Sequence, residues 1–259
     1  MHWATTRRKS PRVSPKKVPQ TDAIFEQVTA VNQAADADET VLRLSIDAKA
    51  TVKVGPFARG GKSRIPTAAA DHDFHPTASV TPVGILLPSL DELYLYGVTS
   101  KVTSDCLVDC LVRWWQAVSA RFADITMLVI NLDNGPENHS RRTQFMRRMV
   151  DFVQRYGLGV RLAYYPPYHS KYNPIERCWG VLEMHWNGAL LDSIEAVLRF
   201  GETMTWNGKH PSVEVITTTY ATGVKLTKDA MQVVEARIQR LPGLDKWFVD
   251  ILPAAHPSG

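Results

Sequence analysis

The stretch "ITMLVINLD", residues 125–133, is apolar at almost every position and then stops at an acid. A strand with one wet face alternates polar and apolar residues. A run without alternation reads instead as a strand covered on both faces, the centre of an α/β sheet. Asn134 and Gly135 follow Asp133 at once, a strong turn signal that by itself accounts for an acid in this place.

Upstream, "VLRLSIDAKATVKVG" alternates through Leu42, Leu44 and Ile46. It predicts a strand ending at Asp47 and a second one through Val52 and Val54. "TPVGILLPSL" and "ELYLYGVTS" read as two more strands joined near residues 89–92. Helical spacing marks residues 21–37, through Ile24, Phe25, Val28 and Val31, with Thr21 or Asp22 as the cap. It marks "SDCLVDCLVRWWQAVSARF" as well, where Cys106 and Cys110 join Leu107, Leu111, Trp114, Val118 and Phe122 on a core face.

Downstream, "SRRTQFMRRMVDFVQRYG" is an amphipathic helix that buries Phe145, Met149, Phe152, Val153 and Tyr156 and ends at Gly157. Its arginines, Arg141, Arg142, Arg147, Arg148 and Arg155, form either a solvated outer face or a DNA contact. "GVRLAYYP" is another strand, and a polar loop then leads into a helix beginning near Glu176. "SIEAVLRF" and "TKDAMQVVEARIQRL" read as later helices, the last closing at Pro242 and Gly243.

The fold class is therefore α/β, a mixed sheet flanked by helices, with a basic N-terminal arm and a helical C-terminal extension. The expected divisions are 1–20 for the arm, 21–40 for a helical lead-in, 41–190 for the core and 191–259 for a mainly helical extension. The arm holds Arg7, Arg8, Lys9, Arg12, Lys16 and Lys17 and no acid, which suits either phosphate contacts or plain solvation.

With 44% hydrophobic and 22% charged residues, the composition is that of a soluble globular chain. No apolar run is long enough to span a membrane and no secretory leader pattern opens the sequence, so it reads as cytoplasmic. Three cysteines without a C-x-x-C exclude a disulfide framework and a zinc ribbon, and His72 with His75 lacks the context of a metal site. "GGKS" at 60–63 is not a phosphate loop, because Pro56 stands where the first glycine is required.

Asp47 and Asp133 each end a strand, and Glu176 opens a helix after a third. Taken alone, Asn173, Pro174 and Glu176 fit the N-cap, N1 and N3 positions of a capping box. Taken together, three carboxylates beyond neighbouring strand ends form a hard oxygen cage suited to Mg²⁺ or Mn²⁺. Two such ions suit phosphodiester chemistry.

These blocks, "LSIDAKATVKVGPFARGGKSR", "NLDNGPEN" and "PPYHSKYNPIERCWG", resemble in order those of the DDE transposases of bacterial insertion sequences. The similarity runs from about Pro19 to Pro253. It implies a ribonuclease H-like core in which Asp47, Asp133 and Glu176 are catalytic and bind two Mg²⁺ or Mn²⁺ ions, cutting element ends and transferring the strand to target DNA. The implied partners are transposon-end and target DNA and a second copy of the chain, without a membrane, in the cytoplasm and on the nucleoid when DNA-bound.

Asn134 and Asn173 are expected to orient carboxylates or water, and His169 and Lys171 to meet scissile phosphates or solvent. Such enzymes usually carry an N-terminal helix-turn-helix region, whereas 46 residues precede Asp47. End recognition is therefore expected to be absent or supplied by a separate end-recognition chain. The alternative function is a noncatalytic remnant that binds DNA or full-length subunits as a regulator.

Overall fold

The computed structural model describes residues 18–57 and 75–254. The basic residues of the arm, the Gly60–Ser63 stretch and His72 lie outside the described residues. In chain order the elements are α1 (Thr21–Ala37), β1 (Val41–Ala48), β2 (Val52–Val54), β3 (Ala78–Leu87), β4 (Glu92–Val98) and α2 (Ser104–Val118). Then come β5 (Met127–Leu132), α3 (Thr143–Tyr156), β6 (Gly159–Tyr164), α4 (Ile175–His185) and α5 (Ile194–Thr203). β7 (Ser212–Ile216), α6 (Lys228–Glu235), β8 (Ile238–Arg240) and β9 (Phe248–Ile251) close the described chain.

The strands form one mixed sheet in the order β7-β4-β3-β1-β5-β6-β9-β8, with β2 paired to β3. The apolar run read from sequence is β5, flanked on both sides by parallel neighbours, β1 and β6. β3 runs antiparallel to β1. In the β1–β5 register Ile46 faces Leu132, so Asp47 and Asp133 stand level at the carboxyl ends of adjacent parallel strands. That is where ligands of open α/β sheets bind.

On one face Leu107 and Leu111 of α2 and Phe145 and Met149 of α3 meet Ile46, Ile130 and Leu132. Leu44, Leu128 and Ile130 are buried almost completely, and each such side chain contributes about 1.5–3 kcal/mol. α4 and α5 join a second apolar cluster, in which Ile175, Cys178, Trp179, Leu182 and Val197 meet Leu86, Leu93 and Leu95. α1 is tied to the sheet by Asn131, which donates to Asn32 at 2.9 Å, and by the Arg43–Asp36 pair.

Four local expectations change. α1 starts after Gln20 without a side-chain cap, and the Thr21 hydroxyl donates backward to the Val18 carbonyl. Phe122 falls in a 3₁₀ turn, residues 119–122, rather than in α2. The predicted helix through Leu241 stops at Glu235, because residues 238–240 pair with β9, and tertiary pairing outweighs a local helical pattern. Residues 191–259, expected as mainly helical, hold α5 and α6 but also three strands of the main sheet.

Candidate active site

Asp47 and Asp133 line one cavity of about 210 Å³ together with Ile46, Ala48, Leu107, Glu137 and Asn138. Asp47 is 9% exposed. Its Oδ2 accepts the Trp179 indole N–H at 2.8 Å. Asp133 is half-buried, and its Oδ1 accepts the Asn138 amide at 2.8 Å. Both acids are thus held by neutral donors, which orient a carboxylate without neutralising it.

Glu176 enters from α4, and the start of that helix differs from the capping box read in the sequence. The helix begins at Ile175, and Asn173 turns its side chain away from it toward β1. The Ser45 hydroxyl donates to Asn173 Oδ1 at 2.6 Å and accepts the Ile175 N–H at 3.0 Å. Asn173 Nδ2 donates to the Ile46 carbonyl at 3.3 Å. The Asn173 N–H that Glu176 would cap is bonded to the Ser170 carbonyl at 2.7 Å. A strand serine does the capping, and the helix carrying Glu176 is fastened to the strand carrying Asp47.

Asn173 is completely buried, so losing both hydrogen bonds leaves the Ser45 hydroxyl short of a partner. Asn173→Ala is expected to destabilise the protein by about 2–3 kcal/mol in urea unfolding. A loss below about 0.5 kcal/mol would mean that α4 does not depend on this anchor.

The electrostatics follow from the same geometry. Burial, followed by the charge on Asp133 and more weakly that on Glu176, raises Asp47 from 3.8 to about 7. The Trp179 indole and the Ala48 amide oppose the shift by hydrogen bonding the ionised form. Asp133 and Glu176 therefore both act on Asp47 across the site.

The other residues singled out from sequence are spread around it. Asn134 is exposed. Nδ1 of the half-buried His169 donates to the Pro167 carbonyl at 2.8 Å, and its ring packs edge-on against Phe25. Lys171 is exposed, with its ammonium 5.1 Å from the Tyr172 ring centre. Arg141 is exposed, whereas Arg142 pairs with Glu137 at 3.1 Å. Arg148 bridges Asp105 and Asp109 of α2, so part of the expected arginine face is an internal clamp.

The sequence reading missed Ser45, Trp179, Glu137, Asn138 and Gly84. Gly84 pairs with Asp47 across β1 and β3, and a Cβ there would stand 2.6 Å from Ile175 Cδ1 and 2.7 Å from Trp179 Cη2. Only a bare backbone lets α4 lie this close to the sheet. The available signals were an isolated glycine inside an apolar strand and an asparagine five residues after Asp133.

Three carboxylates are an oxygen-only donor set of the kind Mg²⁺ and Mn²⁺ prefer, and a cation among them would relieve the penalty on Asp47. Among the described residues no three His, Cys, Asp or Glu side chains are gathered tightly enough to ligate one ion together. The residues fit the ion by their oxygen-only chemistry and by the charges of Asp133 and Glu176 acting on Asp47.

The family described as the Rhodopirellula transposase DDE domain matches residues 2–253. No curated protein matches the chain. Among solved structures, the Mos1 transposase paired-end complex with the left transposon end superposes with a TM-score of 0.51 at 12% identity, over 76% of this chain and 58% of that one. The Mos1 strand transfer complex gives a TM-score of 0.49 at 11% identity, over 76% of this chain and 57% of that one. The chain thus spans less than two thirds of the Mos1 transposase chain, and the shared fold is the ribonuclease H-like mixed sheet flanked by helices.

Proposed function

Because this chain belongs to the Rhodopirellula transposase DDE domain family, we propose that it cuts DNA phosphodiester bonds and joins the freed 3′ end to a second DNA, with Asp47, Asp133 and Glu176 as the catalytic acids. The observation that carries this reading is Asp47, buried at a strand end and pushed up to about 7 by its surroundings, two of the influences being the other two acids of the motif. No structural role is served by placing Asp47 where burial and the charges of Asp133 and Glu176 all disfavour its ionised form.

One or two Mg²⁺ or Mn²⁺ ions would supply the charge that activates a water or 3′-hydroxyl and stabilises the leaving oxygen. Asp47 and Asp133, level on neighbouring strands, would hold them with Glu176 from α4. Trp179 keeps Asp47 turned toward the cavity, and Asn138 does the same for Asp133. The exposed Lys171, in the loop that leads to Glu176, and the exposed Arg141 would meet backbone phosphates without reading bases. Cleavage and joining are the same in-line phosphoryl transfer with different hydroxyls, so one site serves both. Joining two ends in one event makes a dimer on DNA the working unit.

The test uses supercoiled plasmid and a duplex oligonucleotide ending in a 3′-hydroxyl, incubated with the purified chain and MnCl2. Nicked circles and oligonucleotide–plasmid joints that disappear with EDTA and with Asp133→Asn are expected. Nicks without joints would reduce the function to a nuclease. Intact plasmid at every Mn²⁺ concentration, with the protein folded, would sink the proposal.

A further inference from the structure

The cavity beside Asp47 and Asp133 has a wall that neither acid forms. Asn138 is 6% exposed and is fixed at two points. Its Nδ2 donates to Asp133 Oδ1 at 2.8 Å, and its backbone carbonyl accepts the buried Tyr164 hydroxyl at 2.7 Å. With the amide nitrogen committed to a carboxylate, the orientation of the amide is determined. Its Oδ1 is left buried with no hydrogen-bond partner among the described residues. Buried polar atoms are nearly always satisfied, so an oxygen held this firmly without a donor points to a missing ligand.

Gly135 explains how a ligand would reach it. A Cβ at this position would stand 3.0 Å from Asn138 Oδ1 and 3.2 Å from Asp133 Oδ1. No side chain at Gly135 crowds these oxygens, and Gly135 and Asn138 line the same cavity as Asp47 and Asp133. Asn138 Oδ1 and the neighbouring carboxylates all accept hydrogen bonds, so any group other than a cation that enters must bring a donor. A phosphodiester has no O–H to give; water and a terminal DNA hydroxyl do.

We propose that Asn138 is a positioning residue whose Oδ1 accepts a hydrogen bond from the O–H of the attacking group, water in cleavage and the DNA 3′-hydroxyl in joining. The inference rests on the function proposed above. An amide oxygen is too weak a base to take the proton, which passes to bulk water as the new oxygen–phosphorus bond forms. The bond from phosphorus to the departing 3′-oxygen breaks, and that oxygen is protonated by water.

The test compares Asn138→Ala and Gly135→Ala with the wild-type chain, using a 3′-end-labelled duplex with MnCl2 in buffer containing glycerol as a competing nucleophile. Attack by water leaves a 5′-phosphate, and attack by glycerol leaves a glycerol ester that migrates differently. Both variants are expected to lower the maximal rate at saturating Mn²⁺ roughly 10–100-fold while the DNA KM stays within about twofold. The glycerol-to-water product ratio should move at least about threefold, since the variants alter how the attacking oxygen is oriented. Gly135→Ala leaves the Asn138 side chain present and crowds the approach to its Oδ1, so the pair separates loss of the acceptor from loss of the fold.

A lower rate with an unchanged product ratio would overturn the proposal, since a merely structural role slows both nucleophiles alike. So would a rate restored to that of wild type by saturating Mn²⁺, which would confine Asn138 to holding Asp133 for the metal. A crystal structure with Mn²⁺ provides a check that needs no activity: an oxygen within hydrogen-bonding reach of Oδ1 supports the assignment, and its absence overturns it. A wild-type chain that binds Mn²⁺ and shows that oxygen but cuts no DNA would sink the transposase reading alone.

Discussion

Asp47→Asn is expected to abolish DNA cleavage, by at least about a thousandfold, while making the metal-free protein more stable at pH 8. The two effects have one cause. Asp47 sits in a buried site beside Asp133 and Glu176, and its pKa rises from 3.8 to about 7. A carboxylate whose folded-state pKa is raised contributes stability below its unfolded value and loses it as pH rises through the folded value. For Asp47 the penalty grows from about pH 4 to pH 7 and is constant above.

A shift of this size corresponds to at most about 4 kcal/mol, and roughly half of that is a reasonable expectation after relaxation and solvent access. The melting temperature of Asp47→Asn in EDTA should therefore exceed that of wild type by roughly 4–8 °C at pH 8, with the two converging near pH 4. Adding Mn²⁺ should reverse the order, because only the wild-type site gains from the cation. A variant that is less stable than wild type in EDTA at pH 8 would show that Asp47 is a structural acid. A variant that still binds DNA but no longer cuts it would separate the enzyme from a noncatalytic regulator.

Gly84→Val is expected to have the second-largest effect. Gly84 lies opposite Asp47 in the β1–β3 register, beneath Ile175 and Trp179 of α4. The Ile175 methyl group at 2.6 Å can rotate aside. The Trp179 ring at 2.7 Å cannot do so easily, because its indole N–H is bonded to Asp47. A valine would push α4 off the sheet and Glu176 away from Asp47, costing about 3 kcal/mol by overpacking.

Cleavage per folded molecule should fall about a hundredfold as well, since a shift of about 1 Å in a reacting group has that effect. Gly180→Ala is the matched control: it lies inside the same helix, and its Cβ would meet nothing within 4 Å. It should raise stability by about 0.5–1 kcal/mol and leave cleavage unchanged. If Gly84→Val folds and cuts like wild type, the close approach of α4 to β3 does not set the position of Glu176.

Legibility in the sequence tracked how local each signal was. The uninterrupted apolar run of β5, the alternation in β1 and the glycine that ends α3 at a φ of 64° are short-range patterns, and each appears in the structure as read. The strands after Leu191 did not announce themselves. β8 and β9 are three and four residues long and owe their form to pairing with each other and with β6. The β6 partner of β9 lies far outside any local window.

By itself the sequence determined that an α/β sheet would present Asp47 and Asp133 at strand ends and Glu176 at a helix start, because strand and helix periods are written along the chain. Only the tertiary structure decided what surrounds those acids. The β1–β5 register sets Asp47 level with Asp133, and Ser45 rather than Asn173 caps the helix that carries Glu176. Gly84 admits α4, and Asn138 is left with an oxygen that has no donor among the described residues. Each of these depends on the distance between residues far apart in the chain, and burial, repulsion and hydrogen bonding act through that distance and not through sequence spacing.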